Sequence, residues 1–243
     1  MAAPPEPDGI KHSAVFLDLD GTLLEIAEHP DLVHVPPGLL TALESAHDRL
    51  TGALAMISGR PIADLDTLLA PLRLPAAGIH GIEYRDTPDE LHTIHSENIP
   101  QKIRHRVTTL VDTNPGLLLE DKGNSLAVHF RQAPDKENLV RTELQAVSSQ
   151  LDGDFVLQNG KMVMELRPAG ANKGTAVSRF MTQPAFAGRQ PVFIGDDITD
   201  EDAFQVVNQM QGLSIRVGPK SEDSVAQYEL QDVAAVHEWL SLI

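Results

Sequence analysis

The strongest constraint on the fold is a recurring pattern in which a short apolar run leads directly into a polar turn that contains glycine. It occurs at residues 14–17 before DLDG, at residues 53–57 before SGRP and at residues 192–194 before GDDITDED. Such runs between turn residues are typical of buried strands. Helical patterns lie between and after them, at residues 38–50, 62–69, 173–181 and 200–210. Strands that alternate with helices predict an α/β fold with a doubly wound, mostly parallel sheet.

The middle of the chain has a different pattern, in which a helix is followed by a β-hairpin and the arrangement then occurs a second time. The predicted helices cover residues 100–114 and 135–150. The predicted hairpins pair residues 117–120 with 125–130 around a turn at 121–124, and residues 155–158 with 162–166 around Asn159-Gly160. This segment therefore predicts a smaller α+β cap domain inserted into the α/β sheet.

The charge of the chain limits its partners. The formal net charge is −16, whereas nucleic-acid binding draws most of its affinity from Lys and Arg residues that neutralise phosphates. The composition therefore argues against a nucleic-acid partner. The same charge repels an anionic substrate, so a local group of cations or a metal ion must offset it. The chain has no cysteine, which excludes disulfides and thiolate metal sites.

The sequence contains no targeting or membrane signal that we recognise. Its longest apolar runs fall far short of the roughly 20 residues that a membrane span requires. The N-terminal MAAPPEPDGIKHS has neither a basic nor an apolar signal-peptide region. We expect a cytoplasmic monomer with no membrane contact.

Acidic residues follow two of the predicted strands. Asp18 and Asp20 are two residues apart in extended backbone, so both carboxylates can face one cavity, and Gly21 allows a tight turn that brings backbone N–H groups toward an anion. Further carboxylates follow the strand at residues 192–194, namely Asp196, Asp197 and Asp200. Ligands of open α/β sheets bind beyond the carboxyl ends of the strands. Because clustered carboxylates repel each other, the pattern predicts a Mg²⁺ site.

These residue types suit phosphoryl transfer, which needs a nucleophile, neutralisation of charge and a proton for the leaving oxygen. Asp18 can be the nucleophile and form an aspartyl phosphate, and Asp20 can be the general acid and base. Ser58 offers a hydroxyl and Lys173, at a helix start, offers a cation. Asp200 could hold Lys173 in place.

Each of these features has a simpler explanation. A lone DxD sequence is often a turn or a helix cap, Ser58 could simply cap the helix that follows it, and Lys173 could be a solvated helix charge. Their order along the chain, each after a strand or at a helix start, favours the catalytic interpretation.

At these residues the sequence resembles the haloacid dehalogenase superfamily of phosphatases. DLDGTL at 18–23, Ser58, Lys173 and GDDITDED at 195–202 match its four motifs in order. Within that superfamily it is similar to the trehalose-6-phosphate phosphatase family. The strings that carry this likeness are SGR (58–60), GIHGIE (78–83), EDKGNSLAVHFR (120–131), MELRP with NKG (164–174) and GDDITDEDAF (195–204).

The resemblance implies a haloacid dehalogenase-like core domain at residues 11–98 and 169–243, a cap at 99–168 and a flexible leader at 1–10. It also implies a stand-alone enzyme of trehalose biosynthesis. The implied Mg²⁺ ligands are Asp18, the backbone carbonyl of Asp20, and Asp196, with Asp197 and Asp200 in support. The implied phosphate contacts are Gly21, Thr22, Ser58, Gly59, Arg60 and the catalytic Lys173. Leu19 replaces an aromatic residue that is common in the family, and we expect its side chain to face the core.

The resemblance assigns recognition of the sugar to the cap residues Glu120, Lys122, Glu165 and Arg131. Glu120 and Lys122 alternate with Asp121 on one predicted strand, so both side chains could face the substrate. The alternative is a solvated Glu–Lys pair worth well under ~1 kcal/mol. His129 is a weaker candidate. His80 could buttress the active site, and we expect His12, His29 and His34 to be surface groups.

Three functions remain open from the sequence. The resemblance favours a phosphatase that acts on trehalose 6-phosphate. The same chemistry could act on another sugar phosphate, such as sucrose phosphate or a hexose phosphate. A non-catalytic regulator that binds a sugar phosphate is disfavoured because binding alone does not need both Asp18 and Asp20.

Overall fold

The computed structural model describes residues 2–5, 12–27, 33–87, 90–93, 99–151, 155–219 and 223–243. They form two compact units. The core unit comprises Met1–Thr93 and Asn172–Ile243, and the inserted unit comprises Ile94–Ala171. Among the described residues, no helix combines the length and the apolar composition that crossing a bilayer requires.

The core unit contains an eight-stranded sheet with helices around it. In chain order its strands are β1 (Ser13–Leu17), β2 (Leu54–Ile57), β3 (Ala76–Gly78), β4 (Glu83–Arg85), β5 (His92–Thr93), β10 (Gln190–Gly195), β11 (Leu213–Val217) and β12 (Tyr228–Leu230). Its helices are α1 (Leu39–Arg49), α2 (Ile62–Leu68), α5 (Lys173–Phe180), α6 (Glu201–Gln209) and α7 (Val233–Ser241).

The order of strands in this sheet is β12-β11-β10-β1-β2-β3-β4-β5. The strands from β12 to β3 are parallel, and β4 and β5 add antiparallel pairs at one edge. The mostly parallel α/β sheet predicted from the sequence is confirmed. Strands β3, β4, β5, β11 and β12 and helix α7 were not predicted. Most of these strands are only two or three residues long, too short to give a periodic signal.

The centre of the core sheet is buried. Every residue of β1 is buried, as expected for a parallel strand that is covered on both faces. Phe16 of β1 stacks on Phe186 with ring centroids 5.6 Å apart, and Phe180 of α5 lies 5.2 Å from Phe186. This packing fixes the end of β1, where the chain emerges at Asp18.

The inserted unit contains a four-stranded antiparallel sheet and two helices. The strands are β6 (Leu118–Asp121), β7 (Leu126–His129), β8 (Phe155–Gly160) and β9 (Val163–Pro168), in the order β6-β7-β9-β8. The helices are α3 (Gln101–Asp112) and α4 (Glu137–Ser148). Apolar residues of both helices pack with Leu126, Val128, Met164 and Leu166 in one hydrophobic cluster.

One predicted turn of the inserted unit is wrong. Asn159 pairs with Met164 and Gly160 with Val163, so both belong to β8. The tight turn is Lys161-Met162, and Met162 takes the positive φ of 65°. Local turn preference favours Asn-Gly, but the cross-strand register overrides it.

Residues 2–5 of the predicted leader contact the core unit. Ala2 forms a bridge with Tyr228, and its carbonyl accepts a hydrogen bond from the Glu229 N–H at 3.0 Å. The Pro5 carbonyl accepts from the indole N–H of Trp239 at 3.1 Å. Residues 2–5 therefore differ from the flexible segment that we expected, because their carbonyls have partners in the core unit.

Candidate active site

Two acidic turns meet at the carboxyl end of the core sheet. Asp18 directly follows β1 and Asp196 directly follows β10, and these strands are parallel neighbours with Leu17 beside Ile194. Asp200 lies in a short 3₁₀ turn after Asp196. One carboxylate oxygen from each of the three aspartates lies within 4.8 Å of the others. All three side chains are buried.

Lys173 provides a cation inside this acid cluster. It is the first residue of α5, whose start is fixed by a reciprocal pair of hydrogen bonds between Asn172 and Thr175. The ammonium Nζ lies 2.8 Å from Asp18 Oδ1 and 2.7 Å from Asp200 Oδ1. Burial acts to lower the pKa of Lys173, but the carboxylates of Asp18 and Asp200 outweigh it and raise that pKa. Lys173 is therefore charged.

The nucleophile candidate is destabilised as an anion. Burial raises the pKa of Asp18 well above its ordinary value. Lys173 acts in the opposite direction, and the carboxylates of Asp200 and Asp196 raise that pKa further. Three carboxylates around one ammonium leave an excess of two negative charges, which a divalent cation would balance.

The turn after Asp18 is closely fitted to Asp196. Gly21 has φ +85°, and a Cβ on it would overlap the Asp196 carboxylate, so only glycine suits this position. The backbone N–H groups of Gly21 and Thr22 donate within the turn, to the Leu24 and Leu19 carbonyls. In this structure the turn itself uses these two N–H groups, and the approach of backbone N–H groups of this turn to an anion stays a prediction.

Two other side chains of this turn are buried. Thr22 Oγ1 has no hydrogen-bond partner among the described residues, so this hydroxyl is unused in the structure. Leu19 is fully buried in the core.

Asp20 forms a bidentate ion pair with Arg60. Arg60 Nε lies 2.6 Å from Asp20 Oδ2, and Nη2 donates to Oδ1 at 2.7 Å. The carboxylate of Asp20 is about one-third exposed (34%), unlike that of Asp18. The sequence had placed Arg60 only near the phosphate, and its contact with Asp20 joins two turns that are 40 residues apart.

Ser58 and Gly59 follow β2 and carry the turn that leads to Arg60. Ser58 is buried, and its Oγ accepts from the Arg60 N–H at 3.1 Å. It does not cap α2, whose N-cap residue is Pro61 and has no side-chain bond. A Cβ on Gly59 would lie 2.8 Å from His80 Nε2, so this glycine allows the imidazole to approach.

A second loop braces the Ser58–Arg60 turn. The Ile79 N–H donates to the Arg60 carbonyl and the His80 N–H to the Ser58 carbonyl, each at 3.0 Å. Ile79 and His80 have φ values of 47° and 55°, a left-handed conformation that is costly for such residues. This loop forms part of GIHGIE in the sequence, where we predicted a supporting role for His80 alone and missed that of Ile79.

The histidines differ in exposure. His80 is buried. His12 and His34 are exposed, as expected, and His29 lies outside the described residues.

Asp197 and Asp200 organise the second acidic turn. Asp197 Oδ1 accepts from the Ile198 N–H at 2.7 Å, and Asp200 Oδ2 accepts from the Asp197 N–H at 2.9 Å. Asp200 thereby uses one oxygen for the turn and the other for Lys173. Both residues act as supports of the turn in this geometry.

Two of the predicted sugar-binding residues, Glu120 and Glu165, lie on one face of the inserted sheet. Glu120, Ala127, Glu165 and Gln158 form one cross-strand row. The adjacent row, from Leu119 through Val128 and Met164, belongs to the hydrophobic cluster with α3 and α4. Because side chains alternate between the two faces of a sheet, Glu120 and Glu165 point away from that cluster. We call this the polar face.

Ionic contacts connect the polar face. Strand β6 ends at Asp121, one residue before Lys122, yet Lys122 Nζ lies 3.9 Å from Glu120 Oε1 and 3.4 Å from Glu165 Oε1. The Ser125 hydroxyl donates to Glu165 Oε1 at 2.6 Å. In the Glu120–Lys122 pair of the solvated alternative, the Lys122 side chain is 7% exposed and that of Glu120 is 28% exposed, so neither side chain is fully solvated.

Arg131 follows β7 by two residues and is half-buried. Its guanidinium donates to the Lys161 carbonyl at 3.4 Å. The structure therefore places this candidate beside the turn between β8 and β9.

The fold recurs among solved structures. The C-terminal domain of a trehalose-6-phosphate phosphatase from C. albicans superimposes with a TM-score of 0.84 at 23% identity, covering 99% of this chain and 97% of that one. A Bacteroides thetaiotaomicron protein, described among phosphatases of the haloalkanoate (HAD) superfamily, gives a TM-score of 0.65 at 16% identity, covering 99% and 98%. These likenesses show that the chain shares the fold of these structures.

The sequence comparisons identify the family to which the chain belongs. The family model described as trehalose-phosphatase matches residues 16–234. The trehalose-6-phosphate phosphatase of Escherichia coli (strain K12) is 43% identical over 231 residues, which cover 95% of this chain and 86% of that protein. The chain belongs to the trehalose-phosphatase family. The family expected from the motifs is thereby confirmed.

Proposed function

We propose that the protein hydrolyses trehalose 6-phosphate to trehalose and inorganic phosphate through a phosphorylated Asp18. The observation that carries this proposal is the buried contact of Asp18 with Lys173, 2.8 Å apart, beside Asp196 and Asp200. The family membership and the name of the E. coli relative support the substrate.

The two aspartates of the first turn have different surroundings, which suits different roles. Asp18 is buried and held by Lys173 through Oδ1, so the other oxygen, Oδ2, is the one that attacks phosphorus. The bond from phosphorus to the sugar oxygen breaks, and this oxygen takes its proton from the protonated form of Asp20, which requires that the ion pair with Arg60 opens. Asp20 then accepts a proton from the water that attacks the aspartyl phosphate, and Asp18 is released as a carboxylate. Arg60 holds Asp20 beside the cluster.

The acid cluster fits a magnesium ion. Its donors are all carboxylate oxygens, the ligands that Mg²⁺ prefers, and its excess negative charge attracts a divalent cation. Asp18, the backbone carbonyl of Asp20, and Asp196 would hold the ion, while both oxygens of Asp200 already accept hydrogen bonds. When bound, Mg²⁺ supplies positive charge that offsets the charge of the phosphoryl oxygens.

We assign the phosphate contacts to side chains that follow β1 and β2 or open α5. Ser58, Arg60 and Lys173 offer a hydroxyl and two cations, and they come from two separate turns and a helix start. Thr22 contributes an unused buried hydroxyl. Both cations already contact carboxylates, so a divalent cation is also needed to offset the repulsion that the net charge of −16 imposes on an anionic substrate.

We assign recognition of the sugar to the polar face of the inserted unit. A disaccharide presents many hydroxyl groups and little apolar surface, so discrimination requires placed acceptors and donors. Glu120 and Glu165 supply acceptors, and Lys122, which lies between them, supplies donors. Arg131 is a further candidate.

The test of the substrate is a panel of sugar phosphates at fixed Mg²⁺, measured as released phosphate. We expect kcat/KM to be highest for trehalose 6-phosphate, with sucrose phosphate and glucose 6-phosphate well below it. A higher kcat/KM for either competitor would contradict the proposed substrate.

Removal of the metal gives a separate prediction. Exhaustive chelation should abolish turnover, and added Mg²⁺ should restore it, because the acid cluster otherwise repels the phosphoryl group. Circular dichroism of the chelated protein controls for unfolding. Full turnover of trehalose 6-phosphate in metal-free buffer would overturn the metal assignment.

A further inference from the structure

The polar face contains a histidine contact that the sugar-binding residues do not explain. His129 Nε2 lies 2.9 Å from Glu120 Oε2, and the two side chains are 26% and 28% exposed. His129 lies on β7, opposite Leu118, and its side chain shares the face of Glu120. The contact extends the polar cluster into a chain that runs from His129 through Glu120, Lys122 and Glu165 to Ser125.

The direction of this hydrogen bond follows from the charge of Glu120. Burial acts to raise the pKa of Glu120, but the hydrogen bond from His129 and the charge of Lys122 outweigh it and lower that pKa. Glu165 acts weakly in the opposite direction. An ionised carboxylate only accepts hydrogen bonds, so His129 donates through Nε2.

We propose that His129 is a positioning residue that fixes the Glu120 carboxylate for recognition of sugar hydroxyls. The inference rests on the proposed function of the polar face. With Oε2 held by His129 and Oε1 facing Lys122, rotation of the carboxylate is restrained on both sides. Its remaining lone pairs then point in fixed directions, and a hydroxyl meets an acceptor that needs no reordering.

The second carboxylate of the face is held in the same manner. Ser125 is fully buried and donates to Glu165 Oε1, which Lys122 also approaches. Each glutamate thus accepts a hydrogen bond from a side chain of β7 or of the turn before it, and both lie within 3.9 Å of one ammonium. Two acceptors held this way match a neutral sugar that donates several hydroxyl protons.

The test compares His129→Leu, which removes the donor, with His129→Gln, whose amide N–H can replace it. His105→Gln, on the exposed surface of α3, is the matched control. The measured quantity is kcat/KM for trehalose 6-phosphate divided by kcat/KM for 4-nitrophenyl phosphate, which lacks sugar hydroxyls. For His129→Leu we expect this ratio to fall on the order of ten-fold, mainly through KM, as for a lost hydrogen bond to a charged group. His129→Gln should recover most of the loss, and His105→Gln should show none.

A double-mutant cycle shows whether His129 acts through Glu120. In the Glu120→Ala background, His129→Leu should lower the ratio by less than about two-fold, because the carboxylate that it positions is gone. Equal losses on both substrates, or the full His129→Leu loss in the Glu120→Ala background, would overturn the inference.

The wild-type substrate panel separates this outcome from the proposed function. If the wild type prefers another sugar phosphate, the proposed substrate is wrong and the cycle is measured on the preferred one. A wild type without phosphatase activity would overturn both proposals.

Discussion

At the scale of single residues, the site depends on an excess of carboxylates around one lysine. Asp18 contacts Lys173 in a buried setting, and this contact joins residues 155 positions apart in the chain. The motifs allowed their proximity to be anticipated, because each follows a strand or opens a helix. The ion pair of Asp20 with Arg60 could not be predicted, since it depends on how two turns face each other.

Asp18→Asn should stabilise the chelated protein at neutral pH. A carboxyl whose pKa folding raises favours the fold at low pH, below its unfolded pKa of about 3.9, and this contribution is lost as pH rises through the folded pKa. Burial raises the pKa of Asp18 in this way. Near pH 7 we expect the variant to melt a few degrees higher than the wild type, at about 2–4 °C per kcal/mol.

Thermal unfolding between pH 5 and pH 8 measures this effect. The melting temperature of the chelated wild type should fall more steeply with pH than that of Asp18→Asn, and excess Mg²⁺ should shrink the difference. If chelated Asp18→Asn melts below the chelated wild type at every pH between 5 and 8, the ionised Asp18 carboxylate does not destabilise the metal-free fold.

Gly21→Ala should lower activity more than the cost of a positive φ alone explains. The new Cβ would overlap the Asp196 carboxylate and require φ +85°. We expect a loss of stability of about 1–3 kcal/mol and a fall in kcat/KM of at least about 100-fold. Gly188→Ala is the control, because Gly188 has φ +76° and no atom within 4 Å of such a Cβ. Similar kcat/KM values for the two variants would contradict the fitted turn.

At the scale of elements, the loop of residues 78–83 supports the Ser58–Arg60 turn. Helix α2 begins after Pro61, which offers no side-chain acceptor. The missing acceptor comes from Glu83 of β4, whose Oε2 accepts from the Ile62 N–H at 2.8 Å. This contact adds to the backbone bonds from Ile79 and His80 to the same turn.

Glu83→Ala should therefore behave as the loss of a helix cap. We expect the free energy of unfolding to fall by about 0.5–2 kcal/mol, with a smaller change for Glu83→Gln, whose amide oxygen still accepts. Glu44→Ala, at an exposed position of α1, is the control. Urea denaturation measures all three, and a loss for Glu83→Gln equal to that for Glu83→Ala would contradict the capping role.

The elements also show what the sequence could and could not predict. Strands β1, β2 and β10 were found because buried parallel strands are continuous apolar runs. Strand β3 has the sequence AAG and β4 has EYR, and neither carries enough apolar residues to differ from a loop. They become strands because β2 already offers an edge to pair with.

At the scale of the whole molecule, chemistry and recognition are assigned to different units. The acid cluster belongs to the core unit and the polar face to the inserted unit. The helix–hairpin pattern predicted the inserted α+β fold, but the connection between Glu120 and His129 needed the register of β6 with β7. The register of the strands decides which charged side chains share a face, because a shift of one residue would move every side chain of a strand to the opposite face.

Glu120→Ala should accordingly affect substrates unequally. We expect kcat/KM for trehalose 6-phosphate to fall by ~2–4 kcal/mol of transition-state stabilisation, because a buried partner is left unpaired. The loss on 4-nitrophenyl phosphate should be much smaller, since that substrate has no sugar hydroxyls. Equal losses on both substrates would indicate that Glu120 supports the fold instead of the sugar.

The central claim is that Asp18 becomes phosphorylated, and Asp20→Asn allows this to be observed directly. The variant cannot activate the hydrolytic water, but 4-nitrophenolate leaves without needing a proton, so the phosphorylated enzyme should accumulate. With Mg²⁺ present, rapid mixing with 4-nitrophenyl phosphate should release a burst of about one nitrophenolate per site, and mass spectrometry of the quenched protein should place the phosphate on Asp18. The double variant Asp18→Asn/Asp20→Asn should give neither signal. A burst that survives in the double variant, or turnover by Asp18→Asn at the wild-type rate, would contradict the account.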